Sequence, residues 1–331
     1  MRSLRGSVRD SIVWEPRNTH RAGRKAGQRI APAAKESRAI LPIEMTRADD
    51  VQHPTVGVVT VTYDSGATAV NAVRSLFEAA HPPDDVVIVD NASRDDSYLS
   101  GLAGVDPRVR VLRQQTNLGF CVGNNIGRRA LRPHPFVLFL NPDAFVSTDF
   151  LDRAIELLKG DPRIAAMNPK LLNADPVTCT PTGRLDSVGV FQTAYGRWYD
   201  RGRGEPDDGR YDGPVADVPA LCGAALFCRQ AALDQVAPGG AVFDERFFMY
   251  KEDIDLSLRL ARLGWRLVLD PSVTVLHVRG WNPDRRAMPS WARRRSLVNE
   301  WRIWRKGLQP AHRLSTLAYL GGKSVLVALG R

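Results

Sequence analysis

Two segments carry the residue types from which chemistry is built. Phe136-Val137-Leu138-Phe139-Leu140-Asn141-Pro142-Asp143 is an apolar run that stops at a carboxylate, so a strand there delivers Asp143 to a sheet edge, where α/β proteins place their ligands. Further along, Phe247-Phe248-Met249-Tyr250-Lys251-Glu252-Asp253-Ile254-Asp255-Leu256 passes from aromatics to three closely spaced acids that open a helix. A hard divalent cation takes oxygen ligands, and a diphosphate supplies several of them. Proton abstraction from a hydroxyl needs a carboxylate within hydrogen-bond reach. The first segment suits a metal-diphosphate site and the second a general base. Each also has a plain alternative. Asp143 follows a proline as turn residues do, and acids favour helix N-termini through capping and the dipole, which accounts for at least one of the three.

The surrounding pattern supplies the elements that position these groups. Val56-Gly57-Val58-Val59-Thr60-Val61-Thr62 reads as a buried strand, 67–80 as a helix, 86–90 as a second strand and 109–112 as a third. A helix over 123–131 leads to the strand ending at Asp143, and 148–159 forms another helix. Such βαβ units imply a parallel sheet with four strand ends on one rim. The second half is less regular. The Gly- and Asp-rich stretch 195–213 reads as a mobile loop able to close over a substrate. Residues 224–228 read as a strand, 252–263 as a helix with Ile254, Leu258 and Ala261 on its buried face, and 266–269 and 273–277 as short strands.

At 331 residues and 44% apolar content the chain can fill a substantial core. The net charge of +10 is unevenly placed: residues 1–45 hold ten Lys/Arg against four Asp/Glu, residues 285–331 hold eleven against one, and 46–284 carry −6. An acidic core with basic ends suits a metal-dependent enzyme resting on an anionic surface rather than a nucleic-acid binder. Cys121, Cys179, Cys222 and Cys228 show no paired zinc spacing and read as reduced, mostly buried thiols. No stretch reaches the length of a membrane-spanning helix and the Arg-rich start has no apolar signal core, so the expected compartment is the cytoplasm. Residues 1–54 read as a disordered basic extension, with Met45 a candidate translation start.

In chain order, Val61-Thr62-Tyr63, Val89-Asp90-Asn91-Ala92-Ser93, Asn117-Leu118-Gly119-Phe120, Phe139-Leu140-Asn141-Pro142-Asp143, Glu252-Asp253-Ile254-Asp255-Leu256, and His277 with Gly280 resemble the landmarks of family 2 glycosyltransferases, especially their bacterial rhamnosyltransferase-like branch. The resemblance covers residues 55–285. It implies the GT-A fold, a Rossmann-like, mostly parallel central sheet flanked by helices, here with a helical C-terminal extension. It further implies a nucleotide-sugar donor, Mg²⁺ or Mn²⁺, and inversion at the anomeric carbon, with dTDP-rhamnose the leading donor and UDP or GDP donors of galactose, mannose or glucose the alternative.

On this reading Asp143 and His277 hold the metal, Asp253 is the base and Glu252 orients the acceptor, while Asp255 binds a neighbouring main-chain amide. Thr62, Tyr63, Asp90, Asn91, Asn117, Gly119, Asn124 and Asn141 line the donor site, where a small residue such as Gly119 lets the backbone approach. Tyr63 is equally a packing residue, and Asn91 and Ser93 equally turn formers. Arg279 and Arg113 are candidates to neutralise phosphate.

The tail, 286–331, places Trp291, Trp301 and Trp304, after Trp281, among Arg293, Arg294, Arg295, Arg302, Arg305 and Lys306. Aromatics mixed with cations favour a membrane interface, so the expected partners are the donor, a glycan or polyprenyl-diphosphate-linked acceptor of cell-envelope polysaccharide synthesis, and the anionic inner face of the plasma membrane, with no nucleic acid. A helical hairpin packed on the catalytic domain is the alternative for the tail. Two other classes compete with the whole reading. A dinucleotide-dependent oxidoreductase is disfavoured because Tyr63-Asp64-Ser65-Gly66-Ala67 lacks the three-glycine turn, and a non-catalytic nucleotide-binding module has no use for both Asp143 and Asp253.

Overall fold

Seven consecutive buried residues, Val56–Thr62, form strand β1, and their β-branched side chains suit a strand covered on both faces. The computed structural model describes residues 55–279, 289–307 and 313–328; the expected basic extension, Gly280 and Trp281 lie outside them. After β1 come α1 (Gly66–Glu78), β2 (Asp85–Asp90), α2 (Tyr98–Ala103), β3 (Val109–Arg113), α3 (Gly119–Ala130) and β4 (Phe136–Leu140). Then follow β5 (Ala144–Val146), α4 (Phe150–Gly160), β6 (Ile164–Ala174), β7 (Pro181–Ser187), β8 (Val190–Gln192), β9 (Trp198–Asp200) and β10 (Ala216–Asp217). The remainder is β11 (Ala225–Arg229), α5 (Gln230–Val236), a 3₁₀ turn at Glu245–Phe247, α6 (Glu252–Arg262), β12 (Arg266–His277), α7 (Ser290–Arg305) and α8 (Arg313–Ala328).

The main sheet runs β10-β12-β6-β11-β4-β1-β2-β3, with β5 paired to β12 and β7 to β6. β4, β1, β2 and β3 are mutually parallel, so Thr62, Asp90 and Leu140 end on one rim, as the βαβ reading requires. β11 enters antiparallel between β4 and β6. Its register sets Ala225 opposite Leu140 and brings the turn before it, residues 222–224, to the same rim.

The core is the apolar faces of this sheet against α1, α3, α4 and α6, with Phe139, Phe150, Phe227 and Phe243 fully enclosed. Burying each such side chain contributes about 1.5–3 kcal/mol. Glycines at two helix positions permit the contact of α3 with the sheet: a Cβ on Gly127 would lie 2.3 Å from Val59 and one on Gly123 2.8 Å from Val61.

Two expectations need correction, and one long strand was not foreseen. The two short strands after 266 are one strand, β12, with an irregularity between Asp270 and Thr274. β6 has no counterpart in the sequence reading. The stretch 195–213 is not a free loop: β9 pairs with β8, and buried Lys170 on β6 reaches Asp207 at 3.1 Å and Asp212 at 2.6 Å. An ammonium taken out of water needs such partners, and they pin the segment to the sheet. The four cysteines are free thiols, three of them buried.

Candidate active site

Register brings the first cluster together. β12 runs antiparallel to β5 with His277 opposite Ala144, so His277 stands beside Asp143. Its Nε2 lies 3.3 Å from Asp143 Oδ1 and 3.3 Å from the Asn141 amide. Its Nδ1 lies 2.8 Å from Asp186 on β7. Burial alone would keep the imidazole neutral, but the flanking carboxylates of Asp143 and Asp186 outweigh it and raise its pKa to about 9. For Asp143 burial likewise works against ionisation, and the charge of His277 prevails, holding the carboxyl below its usual range.

Asp186 carried no sequence signal. It fixes the ring from behind, as partners of ligating histidines commonly do. Asp186 also pairs with Arg279 at 2.8 Å, and Arg279 reaches Asp200 at 3.0 Å. The guanidinium expected to face phosphate is thus buried between two carboxylates. Arg113 pairs with Asp96.

The second cluster opens α6. Asp253 is partly exposed and Glu252 is buried. Asp253 Oδ2 accepts from Gly223 N at 3.1 Å, and Oδ1 from Ile254 N at 2.8 Å. Burial, then the charge of Asp253, pushes Glu252 up to about 8. Asp253 is raised as well, by burial, against the pull of Lys251 and of the two N–H donors. Two carboxyls this close resist ionising together, so the pair holds a proton well above the ordinary carboxylate range. Asp255 belongs elsewhere: it is fully buried and pairs with Arg259 at 2.9 Å and Lys306 at 2.5 Å, so its partners are cations rather than the expected main-chain amide.

The turn before β11 joins the clusters. Ala224 O accepts from Asn141 N at 2.9 Å, one residue from the Gly223 amide that holds Asp253. The loop leading into α6 is strained: Phe248, Tyr250 and Lys251 have φ of 62°, 71° and 72°. Non-glycine residues in such conformations cost about 1–3 kcal/mol each.

The residues expected to meet the donor lie at the strand ends of the rim. Asp90 accepts from Thr62 at 3.3 Å, from Ser93 N at 3.2 Å and from Tyr98 OH at 3.2 Å. Asn91 is fully buried and donates to Gly119 O at 3.0 Å; Asn124 donates to Phe120 O at 2.9 Å. These bonds shape the rim from within. Tyr63 lies under the Arg94 guanidinium, whose Nε donates to Asp64 at 2.7 Å. Neither Asp64 nor Arg94 was singled out from sequence.

Gly119 has φ +86°, and a Cβ there would meet the Phe248 ring at 2.4 Å, so the third landmark touches the loop of the fifth. Asn117 Oδ1 accepts from Gly119 N at 2.9 Å, while its Nδ2 is buried with no hydrogen-bond partner, as are Asn91 Oδ1 and Glu252 Oε2. Of these, Asn117 Nδ2 sits on a partly exposed residue beside Gly119, where a polar ligand would satisfy it. Among the described residues no three His, Cys, Asp or Glu converge as a metal cage. A cation held by Asp143 would have to draw most of its other ligands from a diphosphate; His277, kept charged by the flanking Asp143 and Asp186 carboxylates, joins as a ligand only by giving up its Nε2 proton.

Residues 57–213 match the family model of glycosyl transferase family 2. The N-acetylglucosaminyl-diphospho-decaprenol L-rhamnosyltransferase of Mycobacterium tuberculosis is 30% identical over 241 residues, 66% of this chain and 75% of that protein. The chain is a family 2 glycosyltransferase. It belongs to the rhamnosyltransferase-like branch. A mannosyltransferase from Pyrobaculum calidifontis, solved with GDP-Man and Mn²⁺, superposes with a TM-score of 0.55 at 18% identity over 85% of this chain and 74% of that one. GalNAc-T7, solved with UDP, GalNAc and Mn²⁺, gives 0.56 at 16% identity, over 70% of this chain and 45% of that one. Both likenesses establish the GT-A fold expected from the landmarks.

Lys251 offers a direct reading of the acidic pair in this glycosyltransferase. Its positive charge favours the Asp253 carboxylate, so removing it in Lys251→Met raises the Asp253 pKa further. A base must be deprotonated to act, so with Asp253 as the expected base the acid limb of the kcat–pH profile should move to higher pH. An unmoved limb would mean that another group controls it.

Proposed function

We propose that this family 2 glycosyltransferase is an inverting, metal-dependent hexosyltransferase that moves rhamnose from dTDP-rhamnose to a hydroxyl of a polyprenyl-diphosphate-linked glycan in cell-envelope polysaccharide synthesis. The observation that carries it is the pairing, across one turn, of a metal-competent Asp143–His277 cluster with a carboxylate of raised pKa at Asp253. The activity named for the mycobacterial relative supports the choice of sugar and acceptor class. Residues 55–285 make the catalytic domain, with 286–331 as its helical tail.

In this scheme Asp143, with His277 once deprotonated, would hold Mg²⁺ or Mn²⁺, which would supply charge neutralisation for the leaving diphosphate. Asn117, with its unpartnered amide, and Asn141 face the donor's diphosphate and sugar. Thr62, Tyr63, Asp90, Asn91, Gly119 and Asn124 form the nucleotide pocket. Asp253 takes the acceptor hydroxyl's proton as that oxygen bonds to the anomeric carbon; the bond from that carbon to the diphosphate oxygen breaks on the opposite face, and the nucleoside diphosphate leaves. Glu252, buried and protonated near neutrality, donates a hydrogen bond to the acceptor.

Membrane association at the inner leaflet belongs to the same reading. No helix among the described residues is long and apolar enough to cross a bilayer. On α8, however, Leu314, Val325 and Leu326 are 84%, 59% and 49% exposed, on a face completed by Leu317, Ala318, Gly321 and Gly322. Cationic α7 adjoins it, with the Trp301 and Trp304 rings 5.5 Å apart. An exposed apolar helix face beside a helix rich in arginine suits an anionic interface.

One experiment tests the whole reading: transfer from dTDP-rhamnose, UDP-galactose, UDP-glucose and GDP-mannose to a polyprenyl-diphosphate N-acetylglucosamine acceptor in phosphatidylglycerol vesicles, with flotation of the bound enzyme. Rhamnose transfer with Mn²⁺ and co-flotation is expected. Transfer of another sugar would replace the donor assignment, and enzyme left at the bottom of the gradient would remove the membrane role.

A further inference from the structure

Asn299 lies away from the cleft, yet it grips the segment leading into it. It is fully buried on α7. Its Nδ2 stands 3.0, 2.9 and 2.8 Å from the carbonyl oxygens of Phe247, Met249 and Tyr250, and its Oδ1 accepts from Arg302 at 2.6 Å. One amide nitrogen with two hydrogens thus serves three carbonyls. The gripped segment is the one with left-handed residues at Phe248, Tyr250 and Lys251, immediately before Glu252 and Asp253. Backbone in such conformations persists only when its surroundings over-determine it.

The rest of α7 and its C-terminal flank reinforces the grip. Glu300 lies 3.8 Å from Lys251 and 2.5 Å from Lys323 on α8. Lys306 joins Asp244 at 2.8 Å and Asp255 at 2.5 Å, and the Trp291 ring lies 6.4 Å from that of Tyr250. Four residues of the tail therefore contact both ends of the loop and the first turn of α6.

We propose that α7 is a working part of the catalytic machinery, with Asn299 the positioning residue that holds 247–251 in the turn from which Asp253 faces the acceptor. This rests on Asp253 being the base. The residue type follows from the geometry: a carboxylate would oppose three carbonyls, and an apolar side chain would leave them buried and unpaired.

The test uses the full chain and compares wild type, Asn299→Ala and Asn299→Ala/Lys251→Gly. Glycine takes a φ near 72° without strain, so the second change relieves what the clamp opposes. Expected for Asn299→Ala is a fall in kcat of about 10²-fold, the scale of an ångström's misplacement, with Mn²⁺-dependent dTDP affinity unchanged. Amide exchange should accelerate at 248–255 and not in β1 or β4, and the double variant should regain rate on its pH plateau. Wild-type kcat and exchange in Asn299→Ala would overturn the proposal, as would parallel loss of rate and dTDP binding without rescue. Asn299→Ser, which keeps one donor, carries the same comparison if the alanine variant does not fold. A wild type that transfers no sugar would remove the proposed function, while the exchange arm still decides whether Asn299 holds the loop.

Discussion

Asp253→Asn should abolish most sugar transfer, lowering kcat by about 10²–10⁴-fold, the usual contribution of a positioned general base. The change keeps the shape of the side chain and one oxygen for the Gly223 N–H that Oδ2 now accepts at 3.1 Å, and gives up only the local bond from Ile254 N that Oδ1 accepts at 2.8 Å, so the turn linking it to Asn141 stays in place. Nucleotide affinity should therefore stay at the wild-type value, because the Asp143–His277 cluster sits on other strands. Single-turnover transfer and calorimetric nucleotide binding, run on the same preparation, separate the two effects. A variant that transfers at the wild-type rate would remove Asp253 from the chemistry and leave Glu252 as the candidate.

Asp143→Ala should have the opposite signature. His277 would lose the carboxylate 3.3 Å from Nε2 while keeping Asp186 on Nδ1, so the ring stays in place and the carboxylate proposed to hold the metal disappears. Loss of partners beyond the ligands already costs 10–100-fold in metal affinity, and loss of a ligand should cost at least about 100-fold. Titration of dTDP, UDP and GDP with and without Mn²⁺ reads this directly: wild type should bind one nucleotide only with metal, and the variant should bind it no better with metal than without. Equal metal-dependent binding in both would place the cation elsewhere.

The two expected signatures differ because the site is assembled from distant stretches, and this explains what the sequence could and could not disclose. β1, β2 and β4 were legible because buried parallel strands are continuous apolar runs. β6 was not, since Asn168-Pro169-Lys170 interrupts its apolar pattern. Those polar residues are tolerated only because Asn168 bonds the 222–225 turn and Lys170 finds Asp207 and Asp212, partners no local window contains. The same ion pairs explain why 195–213 resembled a loose loop.

At the site, Asp143, Glu252 and Asp253 announced themselves by ending an apolar strand or opening a helix. Asp186 and Asp200 lie within short strands with no motif, and their significance comes from His277 and Arg279 reaching them. Asp255 was expected to bind a main-chain amide because helix-start spacing does not disclose the cations, Arg259 and Lys306, that its buried carboxylate meets. The hairpin alternative for the tail described α7 better than an independent segment would, as the buried Asn299 records.

The position of that contact along the chain bears on how the enzyme comes into being. A ribosome delivers the N-terminal strands first, at about 5–20 residues per second, so β1 through β4 and even Asp253 itself emerge before the residue that steadies the loop beside them. Every newly made molecule thus passes through an interval in which the donor half is complete and the acceptor half is not. On the proposed reading, a chain that ended between His277 and Asn299 would remain in that interval for good, its donor strands present and the loop before Asp253 unsteadied.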